Sequence, residues 1–267
     1  MPALHKKLLL ITLLPNIALA DAVPADPCAS LLAVLNRPTN ANSVCVAKSW
    51  QSIIEMGTQY SKSYPNQGHE YNFPDAELRL GLPAGNELNV QLPNYIAAYP
   101  KDEAAVFGYT ATVLGYKHQF EPQGPLVLGM ESLFTLPSGD SNFGSEGLGI
   151  TVNGLLNYNI TQSTALALML GYSSLTTAAN VAEGKRYNSI TQDVVLSWLA
   201  TDNLQFYAEV YGETKTSAEN DAGYNADAGI QYLITPDIEV DIEYGQRLSG
   251  QLGNFSHYYG MGGGIRF

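Results

Sequence analysis

The sequence predicts an all-β fold, a transmembrane antiparallel β-barrel of about twelve strands. Three observations predict it. From about residue 50 to Phe267 the chain is a series of strand-length runs that alternate apolar and polar residues with a period of two. Short turns and longer loops alternate along that series. The last run ends on an aromatic, with Tyr259, Met261, Ile265 and Phe267 on one face.

The clearest run shows the logic. Ile238, Val240, Ile242 and Tyr244 alternate with Glu239, Asp241, Glu243 and Gly245. Apolar residues on one face and carboxylates on the other suit a strand between lipid and a polar lumen. Because each strand is half polar, the mean hydropathy of -0.06 is compatible with a membrane protein.

At the N-terminus, Lys6 and Lys7 precede the apolar run Leu8 to Leu14, and Ala18-Leu19-Ala20 supplies small residues for cleavage. A spanning helix needs roughly 20 apolar residues, and Pro15 and Asn16 interrupt this one. Residues 1–20 are therefore expected to be a secretory signal peptide. Residues 21–49 are expected to be a periplasmic leader. Within it Ser30 to Leu35 could form one short helix, ended by Asn36-Arg37-Pro38-Thr39-Asn40. Cys28 and Cys45, the two cysteines of the chain, form an even, close pair in an exported leader, which favours a disulfide.

The strands are expected at 50–60, 71–82, 87–97, 107–119, 125–136, 148–160, 163–174, 186–199, 203–213, 222–234, 237–247 and 257–267. Pro83 to Asn86, Glu121 to Gly124, Thr161-Gln162, Thr201-Asp202 and Thr235-Pro236 are tight links. The loops 61–70, 100–105, 137–147, 174–185, 213–221 and 248–256 are longer. Short periplasmic turns and long outer loops are what a bacterial outer-membrane barrel has, so the expected location is the outer membrane of a Gram-negative cell.

The apolar faces are assigned to lipid: Leu78, Leu80 and Leu82; Leu88, Val90 and Leu92; Leu166, Leu168, Leu170 and Tyr172; Val194, Leu196 and Trp198. A cation on the lipid face costs about 2–4 kcal/mol at the midplane, so charged positions are assigned to the lumen. The residues expected to line it are Glu77, Arg79, Glu87, Lys117, Glu131, Asp193, Glu209, Asp227, Asp241, Glu243 and Arg247. Tyr207 and Tyr211 share the face of Glu209. Two arrangements of these charges stay open: an acid-biased water passage, or paired charges that plug a narrow barrel.

The chain carries 25 acidic and 13 basic residues; without Lys6 and Lys7 the excess is 25 against 11. Such a surface repels phosphate backbones, so nucleic acid is excluded as a partner. The expected partners are outer-membrane lipid, small-molecule solutes and the barrel-assembly machinery, whose C-terminal signal the Tyr259, Met261, Ile265, Phe267 pattern resembles. No metal site or cofactor is expected: HExxH, CxxC and P-loop patterns are missing from the sequence. No catalytic residue is assigned, and the chain is not expected to be an enzyme. His69 and His257 at the outer rim are the candidates for an alternative, a phospholipase or lipid A hydrolase. Ser256 and His257 are adjacent and would point to opposite faces of a strand, which disfavours a Ser–His pair. A plugged structural barrel presenting its loops is a further alternative.

Several short motifs also carry a family resemblance. Glu77-Leu78-Arg79-Leu80-Gly81-Leu82 with Asn86-Glu87-Leu88, Gly115-Tyr116-Lys117, Leu136-Pro137-Ser138-Gly139, Asp227-Ala228-Gly229 with Tyr232, and Gly264-Ile265-Arg266-Phe267 resemble outer-membrane transporters grouped as "MetA-pathway of phenol degradation". The resemblance spans roughly residues 50–267. It implies an outer-membrane barrel that passes small solutes, among them small hydrophobic or aromatic compounds. Leu136-Pro137-Ser138-Gly139 departs from the Pro-Thr-Gly usual there, and no substrate-contact residue is carried over.

Overall fold

The computed structural model describes residues 26–65 and 68–267. The expected signal peptide, residues 1–20, lies outside the described residues. Among the described residues, twelve strands between Ser52 and Arg266 form a closed antiparallel barrel. They are β1 (Ser52–Ser63), β2 (His69–Phe73 and Glu77–Leu82), β3 (Asn86–Gln91 and Tyr95–Tyr99), β4 (Val106–Tyr109 and Val113–Gln119), β5 (Leu126–Thr135) and β6 (Gly149–Asn159). The series continues with β7 (Thr164–Thr176), β8 (Arg186–Thr201), β9 (Leu204–Glu213), β10 (Gly223–Thr235), β11 (Ile238–Ser249) and β12 (Phe255–Arg266).

Every strand pairs with its sequence neighbours, and β12 returns to β1 in a register running from Ile53 opposite Arg266 to Lys62 opposite His257. Closure removes the open edges that lipid cannot tolerate. β2, β3 and β4 are each interrupted at one level, and Pro74 and Pro93, which have no N–H to give a ladder, sit in two of the breaks. Beyond the breaks their outer pieces continue as an extension of the wall from β1 to Val106–Tyr109. Asp140, in the loop after β5, caps the end of that extension by taking the Tyr109 N–H and donating its own N–H to the Tyr109 carbonyl.

The links at 83–85, 120–125, 160–163, 202–203 and 236–237 run from two to six residues, and those on the opposite rim from five to thirteen. The barrel's outer surface carries the apolar set. Leu170, Tyr172, Val194, Leu196 and Trp198 are exposed there, as are Leu78 and Leu88. This belt of exposed leucine and aromatic side chains around a closed barrel is the surface of an outer-membrane protein.

The apolar core lies inside the barrel, not between sheets. The leader runs up into the lumen, with its single turn of helix, α1 (Leu31–Val34), against the wall. Leu31, Leu32, Val34, Leu35, Val44 and Cys45 pack on the inward-facing Ile53, Val127, Leu155, Val195, Tyr207 and Leu233. The expected disulfide is present and joins Cys28 to Cys45, closing the leader into a loop. A periplasmic leader is what the sequence suggests; the described part of that segment occupies the lumen.

Candidate functional site

The functional surface of a barrel is its lumen, and here the lumen is built from wall and leader together. The wall contributes charged side chains near the middle of the strands, pointing in by the period of two. Of the eleven residues expected to line a passage, nine are buried: Glu77, Arg79, Glu87, Lys117, Glu131, Asp193, Glu209, Asp227 and Asp241. Glu243 and Arg247 are half-buried, nearer the outer rim. All face inward, and most contact the leader rather than open water.

On the β1–β5 wall the charges pair with one another and with leader backbone. Arg79 bonds Glu55 at 2.7 Å and Glu87 at 2.8 Å. Its remaining donors reach the carbonyls of Val34 at 2.7 Å and Cys45 at 3.1 Å. Glu87 also accepts the Ala47 N–H at 2.7 Å, and Glu55 accepts those of Asn36 and Arg37. Lys117 lies between Glu87 and Glu131 and donates to Asn36 Oδ1 and the Ser43 carbonyl, each at 2.9 Å. A buried charge costs several kcal/mol unless paired; in this wall each cation is met by carboxylates and by oxygens of the leader.

On the β8–β11 wall, among the described residues, no wall cation pairs with the carboxylates. Glu209 accepts the backbone N–H groups of Asn40 and Ala41, both at 2.9 Å. Asp193 accepts from Asn40 Nδ2 at 2.9 Å, and Asp227 from the Tyr258 hydroxyl at 2.6 Å. Asp241 is paired with a leader residue that the sequence reading passed over, Arg37. Arg37 also meets Asp75 at 2.7 Å and Glu243 at 3.8 Å. Burial works against the Arg37 charge, but Asp241 and Asp75 outweigh it and hold the guanidinium protonated more firmly than that of a free arginine. Room for Arg37 is made by two glycines: a Cβ at Gly57 or Gly262 would fall on its guanidinium.

The leader divides the lumen into two spaces. The outer one, about 660 Å³, has residues 36–40 and Asn42 as its floor, and Tyr187, Tyr211, Tyr258 and Glu243 in its wall. The inner one, about 290 Å³, lies between the lower leader and β6–β10 and is lined by Tyr207, Gln205 and Gln231 among others. Glu209 sits between them, since Tyr207 and Tyr211 are its neighbours on the same face of β9. Arg247 stands at the outer mouth, 3.6 Å from the centre of the Tyr64 ring.

The other predicted positions lie apart from this lumen. Tyr259, Met261, Ile265 and Phe267 are exposed on the lipid face of β12 and at its end. His69 stacks on Tyr99 at the outer rim, with ring centres 4.9 Å apart. Ser256 Oγ lies 3.2 Å from His257 Nδ1, a contact that strict alternation argues against. The register of β1 with β12 shifts at Lys62/Ser63, beside these residues, and this irregularity lets the two side chains meet. Ser256 also donates to the Lys62 carbonyl, and among the described residues no carboxylate orients His257.

The family model described as "Putative MetA-pathway of phenol degradation" matches residues 70–267. Among solved structures, the chain is similar to the KdgM porin in complex with disordered oligogalacturonate, with a TM-score of 0.55 at 12% identity over 81% of this chain and 99% of that one. It is similar to the NanC porin, with a TM-score of 0.53 at 13% identity over 80% and 98%. It is also similar to the translocator domain of autotransporter NalP from Neisseria meningitidis, with a TM-score of 0.54 at 12% identity over 83% and 90%. No curated protein sequence matches the chain. At these identities the likeness is one of fold.

Proposed function

The chain belongs to the MetA-pathway of phenol degradation family, and on that premise we propose that it is an outer-membrane channel for small solutes, gated by its own leader. The observation that carries this reading is the pair of lumen spaces, one toward each rim, separated by the leader tip at residues 36–42. A plug with no use in transport would need no cavity above and below it. The outer space is of the size of small-molecule pockets, and its tyrosines and amides suit compounds with both aromatic and polar parts. KdgM, a barrel of similar fold seen with oligogalacturonate, supports small-solute passage as a use of this architecture.

The gate is the contact of the leader tip with the β8–β9 wall. There the leader is held by hydrogen bonds to Glu209 and Asp193, whereas on the β1–β5 wall Arg79 and Lys117 anchor the neighbouring leader backbone. The tip can therefore swing off the first wall while the disulfide-closed base stays on the second. Solute uptake into liposomes holding the full-length protein tests this. Passage of a small neutral solute, raised by Glu209→Gln, is expected; liposomes as tight as empty ones with both proteins would overturn the channel reading.

A further inference from the structure

The β8–β10 wall holds three carboxylates on adjacent strands. Glu209 stands opposite Asp227 in the β9–β10 register, and Asp193 stands opposite Tyr211, two residues along β9 from Glu209. Among the described residues no lysine or arginine forms an ion pair with any of the three. Every hydrogen bond drawn above to them comes from a neutral donor: the amides of Asn40 and Ala41 and the Tyr258 hydroxyl. Asp193 and Asp227 each come within hydrogen-bond reach of the Glu209 carboxyl, so the three acids form one cluster, and Asp193 Oδ1 and Asp227 Oδ1, both buried, receive no donor from the leader. A further polar group beside them is unpartnered. The Tyr207 hydroxyl, on a side chain 4% exposed, lies over Gly229, two residues from Asp227.

The leader tip thus offers neutral donors, too few of them, to a site built from three acids. A compact cationic group with several N–H donors matches it better, because charge-assisted bonds to carboxylates are roughly twice as strong as neutral ones. Glu209 stands on β9 between Tyr211, which lines the outer space, and Tyr207, which lines the inner one. We propose that Asp193, Glu209 and Asp227 form a transit subsite for the ammonium or guanidinium group of a passing solute, which displaces Asn40 and Ala41 from the wall. This rests on the channel reading and names the substrate class it would favour.

The test is binding of methylguanidinium, with the neutral methylurea as its near-isostere, to the folded full-length protein in detergent micelles by titration calorimetry. Methylguanidinium is expected to bind at least tenfold more tightly than methylurea. Asp193→Asn with Asp227→Asn should remove that preference, and Glu121→Gln, a charge change in a periplasmic turn, should leave it. Where the double variant does not fold, Asp227→Asn alone should reduce the preference several-fold. Equal binding of the two probes, or a preference untouched by the substitutions, would overturn the subsite. Neutral-solute uptake by wild-type liposomes is measured beside it. Specific methylguanidinium binding without any uptake would keep the subsite and reject the channel reading.

Discussion

Arg37 and Asp241 form a two-point bond across the lumen: Nε and Nη2 of the guanidinium donate to the two carboxylate oxygens at 3.3 and 3.1 Å. One partner belongs to the leader and the other to β11, so this pair fixes how deep and at what rotation the leader sits. Such pairs are weak evidence for net stability, because desolvation offsets the attraction. Removing one partner is another matter.

Arg37→Ala leaves Asp241 buried and unpaired, and a loss of about 3–5 kcal/mol is expected from breaking a buried pair. Arg37→Lys should recover only part of it, since an ammonium cannot make the two-point bond and also reach Asp75. Urea unfolding of the refolded barrel checks both, and a Lys variant equal to wild type would show that charge alone matters.

Gly57→Ala and Gly262→Ala place a methyl where the guanidinium lies. Overpacking of this kind costs about 1–3 kcal/mol. The barrel should still form, but the leader should become accessible to protease in micelles. Undiminished protection of residues 26–49 would mean that the Arg37 side chain has another place to go.

Replacing Cys28 and Cys45 by serine opens the leader loop. The chain-entropy model gives about 3 kcal/mol for a loop of this length. The loss should appear as earlier release of the leader on heating, with the melting of the barrel strands little changed. A single transition shifted as a whole would show that leader and barrel unfold together.

Leu196→Arg tests the faces. Leu196 is exposed on the outer surface in the middle of β8, and a cation at the midplane on the lipid side costs about 2–4 kcal/mol. The same change at Asp202, in a turn, should cost little. Folding into lipid vesicles with urea titration distinguishes the two sites.

The barrel was legible because its information is local. A strand between lipid and lumen must alternate, so Ile238 to Tyr244 reveals its faces without any partner, and the turn and loop lengths supply the orientation. The inward side of Glu77, Arg79, Lys117 and Glu209 follows from the same rule. The use of those residues was not legible, because it depends on the leader, whose sequence has no period and whose contacts lie far away in the chain: Asn40 meets Glu209, and Arg37 meets Asp241. Two signals point to it in retrospect. The inward faces carry many more carboxylates than cations, so donors had to come from elsewhere, and Asn36-Arg37-Pro38-Thr39-Asn40-Ala41-Asn42 is rich in them. Glycines at 57, 81 and 262 also fall on inward faces, where Arg37 or the leader backbone passes close.

The most direct test of the account is single-channel conductance of the full-length protein in planar bilayers, wild type against Glu209→Gln. Glu209 holds the leader tip through both of its oxygens, and an amide can accept through only one. Brief, infrequent openings in the wild type and longer ones at the same unitary conductance in the variant are predicted. Identical open times in the two proteins, or a wild type that stays open without gating, would contradict the claim that the leader tip on Glu209 closes the path.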